Sequence, residues 1–411
     1  VAFVSNRYGR FTVRGSAAVE EVLTSLVNEA AEAARAVLKP AEYRALVMMG
    51  GYGRGEGGVE IVDGQERPHN NVDFLLIAET ARPAHLRVLR QRLLEAFAPV
   101  MQKYDIEIDL SVVSVWKLRL SPSLIIWYDT RFGHKTILGD AKYVPSRTQF
   151  RLSRIPSRDA LRLLVNRGTL LVINEHLLEQ EPYDNGHRRR ITRNIMKAII
   201  GYGDALLFFL GDYHWSYVER KRRMEQRTDV DEGFRALYDE AAEFRFKPDY
   251  ARYQSRDLKA WLSELRATLE PLHRFCEEKR LGAQDLTWEQ YPAVALGHAL
   301  SDEPYSARAW VRKAAHLARS TDGPDDVDLN SRLGYRVLGD RGRYPLIFPV
   351  IAYDLQDPRF RQLAATCLKT QNLNTDALRA AYLRAWCGEV DINAQSTLRK
   401  WHIPVSSGSE G

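Results

Sequence analysis

Three short stretches of this 411-residue chain carry side chains whose types and spacing could do chemistry together. They are Gly50-Gly51-Tyr52-Gly53-Arg54-Gly55-Glu56, then Asn71-Val72-Asp73-Phe74-Leu75-Leu76-Ile77, then Ile106-Glu107-Ile108-Asp109-Leu110-Ser111-Val112-Val113. A glycine pair lets main-chain N–H groups close on phosphate oxygens with no Cβ in the way. Carboxylates hold hard cations through oxygen, and magnesium keeps several waters, so a few acids beside substrate phosphates suffice. Two such ions, about 3.5–4 Å apart, would neutralise charge at phosphorus and lower the pKa of an attacking hydroxyl. The chemistry implied is a metal-assisted reaction at a phosphate.

That chemistry needs strands to aim the acids. Residues two apart on a strand share a face, so Asn71 and Asp73 look at one site while Val72 turns into the core, and Glu107 lies beside Asp109. Positions 71, 73 and 109 form the expected ligand set, with Glu107 as an added candidate. Arg54 would pair with a phosphate or with a site acid, and Glu56 would brace the loop. The loop leaves a short continuous apolar run, Ala45 to Met49, which suits a buried strand. Val72 to Ala78 reads as a second strand, and Ile106 to Trp116 alternates as a third. Around them, Ser16 can cap a helix running to Pro40, and residues 82–103 form an amphipathic helix.

Beyond about residue 120 the pattern becomes helical. Arg158 to Leu178, Ile191 to Leu210, Glu232 to Phe246, Asp257 to Lys279 and Thr375 to Val390 carry apolar stripes with polar opposite faces. The expected fold class is an α/β domain with a small mixed sheet over residues 1–150, followed by an all-α region over 151–411. A turn-rich stretch, Thr321 to Asp326, marks a boundary or loop near 320–328. The composition, 45% hydrophobic and 27% charged, is that of an ordinary globular protein rather than a disordered one. A formal charge of +6 and a pI near 9.1 favour an anionic ligand, modestly.

Cys276, Cys367 and Cys387 show no metal-site or redox spacing and read as free thiols of a reducing compartment. Val1 to Arg14 lacks the features of a signal peptide, and no apolar run approaches the roughly 20 residues of a membrane span. A cytoplasmic protein with no membrane partner is expected. The chain opens on Val1 and closes on Ser406 to Gly411, and neither end carries an argument.

The glycine loop, the polar strand entry and the acid on a further strand together resemble the polymerase-beta-like nucleotidyltransferase superfamily, whose pattern is Gly-Gly or Gly-Ser at a helix start, an Asp-x-Asp strand and a third acid. The string GGYGRGE is also similar to the loop of the bacterial uridylyltransferases of nitrogen regulation. The likeness covers about residues 45–140. It implies an α/β nucleotidyltransferase-like domain and magnesium-dependent transfer of a nucleoside monophosphate from a nucleoside triphosphate, with release of pyrophosphate. It further implies a two-ion site, with manganese as an alternative ion, in which Asp73, Asp109 and Asn71 serve catalysis and metal, assisted by Glu107. Gly50, Gly51, Arg54 and Lys135 would bind nucleotide. The acceptor, whether protein, small molecule or nucleic acid, is open.

One departure matters. Asn71 stands where the pattern has its first Asp, which removes a negative charge and weakens cation binding. The alternative reading is therefore an inactive nucleotide- or nucleic-acid-binding relative. Gly53-Arg54-Gly55-Glu56-Gly57-Gly58 also satisfies a dinucleotide fingerprint literally, but the polar run that follows, with Gly64 and Pro68, lacks the crossover helix that fingerprint requires. Finally, Tyr213, Trp215 and Tyr217 precede Arg220-Lys221-Arg222-Arg223, and such aromatics can stack a base beside phosphate-binding cations, or the run can be a solvated helix face.

Overall fold

In the computed structural model, which describes residues 7–179, 184–301, 307–319 and 328–389, the helically spaced Val19, Leu23, Leu26, Val27, Ala30 and Ala34 are buried along one stripe of α1 (Ala17–Val37). The apolar run after Pro40 forms β1 (Tyr43–Met49), and the glycine loop turns at once into a short helix, α2 (Gly50–Arg54). A hairpin follows, β2 (Gly58–Val62) and β3 (Gln65–His69). Asp63 and Gly64 close it with φ of 51° and 75°, as a two-residue type I′ turn requires. Then come β4 (Val72–Ala78), α3 (Pro83–Tyr104), β5 (Ile108–Ser114), α4 (Val115–Arg119), α5 (Ile125–Phe132) and β6 (Lys135–Gly139).

The four-stranded mixed sheet has the order β5-β4-β1-β6. β4 and β5 run parallel and are joined by α3, while β1 is antiparallel to both β4 and β6. Both faces are covered. Leu46, Met48, Val72, Phe74 and Leu76 pack on α1 and α3, and Ala45, Val47, Leu75, Ile77 and Val113 pack under Val115, Leu118, Tyr143, Val144 and Phe150. This explains why β4 is apolar almost throughout instead of alternating. Phe97 of α3 is fully buried with its ring centroid 5.5 Å from that of Phe74. Phe97→Ala is expected to lower stability by about 3–5 kcal/mol, read as a fall in the urea midpoint with unchanged slope.

From Ser157 onward every regular element among the described residues is helical, ten α-helices in all: α6 (Ser157–Leu178), α7 (Asn185–Phe209), α8 (Tyr217–Glu225), α9 (Glu232–Phe246), α10 (Leu258–Leu281), α11 (Tyr291–Ser301), α12 (Ala307–Arg319), α13 (Leu329–Ala352), α14 (Pro358–Leu368) and α15 (Thr375–Glu389). The expected fold class, an α/β sheet domain followed by an all-α region, is what the structure has. Where the sequence reads one strand from Ile106 to Trp116, β5 spans Ile108–Ser114, because the Ser114 hydroxyl accepts the Lys117 N–H at 2.9 Å and caps α4. Residues 59–70, read only as polar chain, are largely the β2–β3 hairpin.

The chain divides into two compact units. One comprises the residues up to Pro156 together with Asp212–Arg252, and so includes α8 and α9. The other comprises Ser157–Gly211 and the residues from Tyr253 onward. Its interior holds polar pairs, among them Asn194 donating to the Asn174 side chain at 2.9 Å and Arg280 donating to the buried Glu277 at 2.6 Å. Cys276 and Cys387 are buried and Cys367 half-buried, all as free thiols. The stretch Thr321 to Asp326 and the last residues, Ser406 to Gly411, lie outside the described residues. No described helix is long and apolar enough to cross a membrane.

Candidate functional site

The pleat of β4 sends Asp73, Leu75 and Ile77 to one face, and Asp73 is the only half-buried position in an otherwise buried strand. On β5 the exposed Asp109 shares that face, because the parallel register sets Asp109 directly beside Asp73. The apolar cover lies over Leu75, Ile77 and Val113, nearer the other ends of these strands. The two carboxylates therefore sit where the covered face opens to water.

Asn71, one residue before β4, completes the group. Its amide nitrogen donates to Asp73 Oδ1 at 3.1 Å and to Asp109 Oδ2 at 2.5 Å. Electrostatics dictate that orientation, since turning the amide oxygen between two carboxylates would oppose like partial charges. The amide thus bridges the acids by two charge-assisted hydrogen bonds. Glu107 lies just ahead of β5 and is exposed; its main-chain carbonyl accepts the Val72 N–H at 2.9 Å.

Antiparallel pairing sets Met49, the last residue of β1, opposite Asp73, so the glycine loop emerges beside the acid. Gly50 has φ +69°, and a Cβ placed on it would stand 2.1 Å from Asp73 Oδ2. Only glycine allows both that backbone and that approach. The loop is anchored by Tyr52, buried beneath it, whose hydroxyl lies 2.9 and 2.8 Å from the carbonyl oxygens of Gly58 and His69. Burial pushes this phenol well above its ordinary pKa, so it stays neutral.

The remaining expected residues fall in different places. Arg54, with only 8% of its side chain exposed, lies 3.6 Å from carboxylate oxygens of both Glu56 and Asp129. Glu56 does brace the loop, and in a specific way. It accepts the Ser216 hydroxyl and the Tyr217 N–H, the latter at 2.9 Å, and so holds the start of α8. Lys135 is not brought to the acids. It pairs with Met48 on β1, whose side chain joins the α1 face, and its ammonium lies 5.4 Å from the Phe11 ring centroid. Burial lowers its pKa below the ordinary lysine value. It therefore faces the side of the sheet opposite Asp73 and Asp109.

A cation that sequence reasoning missed takes the place beside the loop. Arg245 of α9 brings its guanidinium 3.2 Å from the position a Gly51 Cβ would occupy, and stacks on the Tyr217 ring at 4.0 Å. Arg220, only 1% exposed, lies over the same ring at 3.9 Å and donates to Asp129 at 3.4 Å. The run Arg220 to Arg223 is thus not a uniformly solvated face, although Arg222 is exposed. The aromatic and basic run was the only signal in the sequence; nothing there marks Arg245.

α8 carries a local charge cluster of its own. Hydrogen bonds from Arg222 and Arg223 hold the Glu219 carboxyl at about 2. A depressed folded value stabilises above the unfolded pKa of roughly 4.3 and loses that contribution as pH falls through the folded value. Glu219→Gln is therefore expected to flatten the acid limb of stability between about pH 4.5 and 2, measured as urea midpoints across that range. Equal slopes in wild type and variant would contradict the assignment.

No protein-family model, curated protein or solved structure matches this chain.

Proposed function

We propose that the N-terminal unit is a magnesium-dependent nucleotidyltransferase of the polymerase-beta-like type, moving a nucleoside monophosphate from a nucleoside triphosphate to an acceptor still to be identified. The observation that carries this reading is the juxtaposition of three features on one face: Asp73 and Asp109 side by side in register, Asn71 touching both, and the Gly50 turn closed against the Asp73 carboxylate. The GGYGRGE string and the order of its strands support it.

The donor set suits one hard cation better than two. Two carboxylates and an amide oxygen are appropriate ligands for magnesium, with waters and phosphate oxygens making up the rest of its coordination. Among the described residues no group of three or more His, Cys, Asp or Glu side chains is placed to hold a metal. Asp73 and Asp109 would hold the ion, and Asn71 would have to turn its oxygen inward to join them. When bound, the ion would supply charge neutralisation at the α-phosphate. The protein would supply position: the Gly50–Gly51 main chain against the phosphates, and strand register to keep both acids on one side.

A second reading is favoured by a specific observation. The Asn71 amide already donates a hydrogen bond to each carboxylate without a cation, which suits a protein that binds nucleotide but does not transfer it. One experiment separates the two. The full chain is incubated with magnesium, each α-labelled nucleoside triphosphate and candidate protein, small-molecule and oligonucleotide acceptors, and transfer of label to an acceptor with matching release of unlabelled pyrophosphate is compared with that of Asp73→Asn and Asp109→Asn. Magnesium-dependent release lost in both variants supports transfer. Nucleotide binding by calorimetry without release supports the second reading. Absence of both binding and release overturns the proposal.

A further inference from the structure

We propose that the outer surface of α4, with Trp116 and Leu120 at its crest and Arg119 and Lys117 on its flanks, docks on an anionic phospholipid bilayer. This role lies beyond nucleotidyl transfer and does not depend on it.

The crest is the first observation. Leu120, at 77% exposure, is the most exposed large apolar side chain among the described residues, and Trp116 is 56% exposed. The Leu120 N–H donates to the Trp116 carbonyl at 3.0 Å, so the two residues stand one helical turn apart. At 3.6 residues per turn they lie about 40° from each other around the axis, opposite the buried Val115 and Leu118. The same geometry sets Arg119 about 60° to one side of this crest and Lys117 about 60° to the other. Both cations are exposed, and Arg119 lies 5.4 Å from the centroid of the Trp116 ring. Among the described residues neither makes an ion pair. A large apolar pair rimmed by charge is the pattern of a surface that meets a partner.

Charge is the second observation. Residues 110–156 contain eight Lys or Arg and two Asp or Glu, so this stretch holds the entire formal excess of +6 carried by the chain. Lys135 faces the other side of the sheet, but Lys117, Arg119, Lys142, Arg151 and Arg154 are exposed, against one exposed acid, Asp140. The stretch is knit into one layer. Val115 and Leu118 share a buried cluster with Tyr143, Val144 and Phe150, and the Ser123 hydroxyl donates to the Arg151 carbonyl at 2.8 Å. Such an excess selects an anionic partner, and the crest decides its kind. An aliphatic residue at the summit cannot stack a base, which argues against single-stranded nucleic acid. Trp116 and Leu120 together also offer far less than the roughly 800 Å² per partner of a standard protein interface. A tryptophan at headgroup depth, an aliphatic side chain beside it and cations reaching lipid phosphates suit a bilayer surface. No described helix is long and apolar enough to cross a membrane, and a surface contact needs none. Because α4 begins where β5 ends, at the far end of that strand from Asp109, this surface is distinct from the carboxylate pair.

The test uses the full chain and co-sedimentation with vesicles of phosphatidylcholine and phosphatidylserine, beside vesicles of phosphatidylcholine alone. Wild type is expected to bind the mixed vesicles, to bind the neutral ones about tenfold more weakly, and to be released from the mixed ones by salt. Leu120→Ser, and Lys117→Glu combined with Arg119→Glu, are each expected to weaken binding about tenfold or more. Arg87→Glu and Val88→Ser, which alter an exposed cation and an exposed apolar residue of α3, are expected to change it less than twofold. All of these side chains are exposed, so the variants should fold, and circular dichroism checks that they do. Brominated lipid is expected to quench tryptophan emission in wild type and markedly less in Trp116→Phe. No binding to mixed vesicles, equal losses in the α3 and α4 variants, or equal binding to neutral vesicles would each overturn the proposal. So would capture of a single-stranded oligonucleotide, or self-association in analytical ultracentrifugation, that the α4 variants lose while vesicles stay unbound.

Discussion

Gly50→Ala is expected to reduce the proposed magnesium-dependent nucleotidyl transfer by about 100-fold or more, because an ångström-scale displacement of one positioned group is enough for that loss. Two costs coincide at this residue. The backbone sits at φ +69°, where an L side chain is strained by roughly 1–2 kcal/mol. The new methyl would also stand 2.1 Å from Asp73 Oδ2, so either the carboxylate swings away from Asp109 or the turn withdraws from it. Gly64→Ala is the control. Its φ is +75°, yet nothing lies within 4 Å of its built Cβ, so it bears the backbone strain without the collision. Stability should fall in both variants, but manganese affinity, followed by electron paramagnetic resonance, and turnover should fall only in Gly50→Ala. Should the two variants keep the same manganese affinity, the contact between the turn and Asp73 has no part in holding a cation.

Asn71→Asp is expected to act in the opposite direction, raising affinity for manganese or magnesium by about tenfold or more. A unit charge about 4 Å from a cation is worth roughly 1–4 kcal/mol per cation charge between bulk water and a partly buried site, and tenfold requires only about 1.4. The substitution also removes the amide that now bridges Asp73 and Asp109, leaving three carboxylates together. In EDTA at neutral pH the variant should therefore melt below wild type, and magnesium should stabilise the variant more than it stabilises wild type. Thermal melts with and without the ion check this independently of any turnover. If affinity and melting temperature both match wild type, position 71 does not face the cation and the one-ion site as drawn is wrong. A gain in affinity with no gain in turnover would favour the nucleotide-binding reading over transfer.

The candidate site was legible in the sequence to the extent that it is local. That Asn71 and Asp73 share a face follows from the two-residue period of a strand, and the clean alternation through Asp109 reveals its face in the same way. Helices α1, α3 and α9 were readable because an amphipathic stripe is repeated over several turns and each stripe is bounded by a cap, proline or polar break. The hairpin of β2 and β3 had a usable signal in Asp63-Gly64, but Pro68 and the polar strands around it masked that signal, since neither strand has an apolar face long enough to show.

What lay beyond the sequence is whatever depends on register or on distant contacts. The sequence offers Lys135 for phosphate, yet its face is set by pairing with Met48 through a register irregularity between Leu46 and Val47, and such a shift cannot be read from β6 alone. Arg54 has two acids near it, one of them close in sequence and the other, Asp129, supplied by α5. Arg245 reaches Gly51 only because Asp212–Arg252 belongs to the same compact unit as the sheet, an association made by the Glu56 cap on α8 and by side chains far apart in the chain. The sequence by itself determined which residues form strands and helices and which acids share a face, because periodicity and turn chemistry act over a few residues. The tertiary structure decided which strand lies beside which, and hence which cations meet the glycine turn, because register and helix docking are set by burial summed over the whole unit.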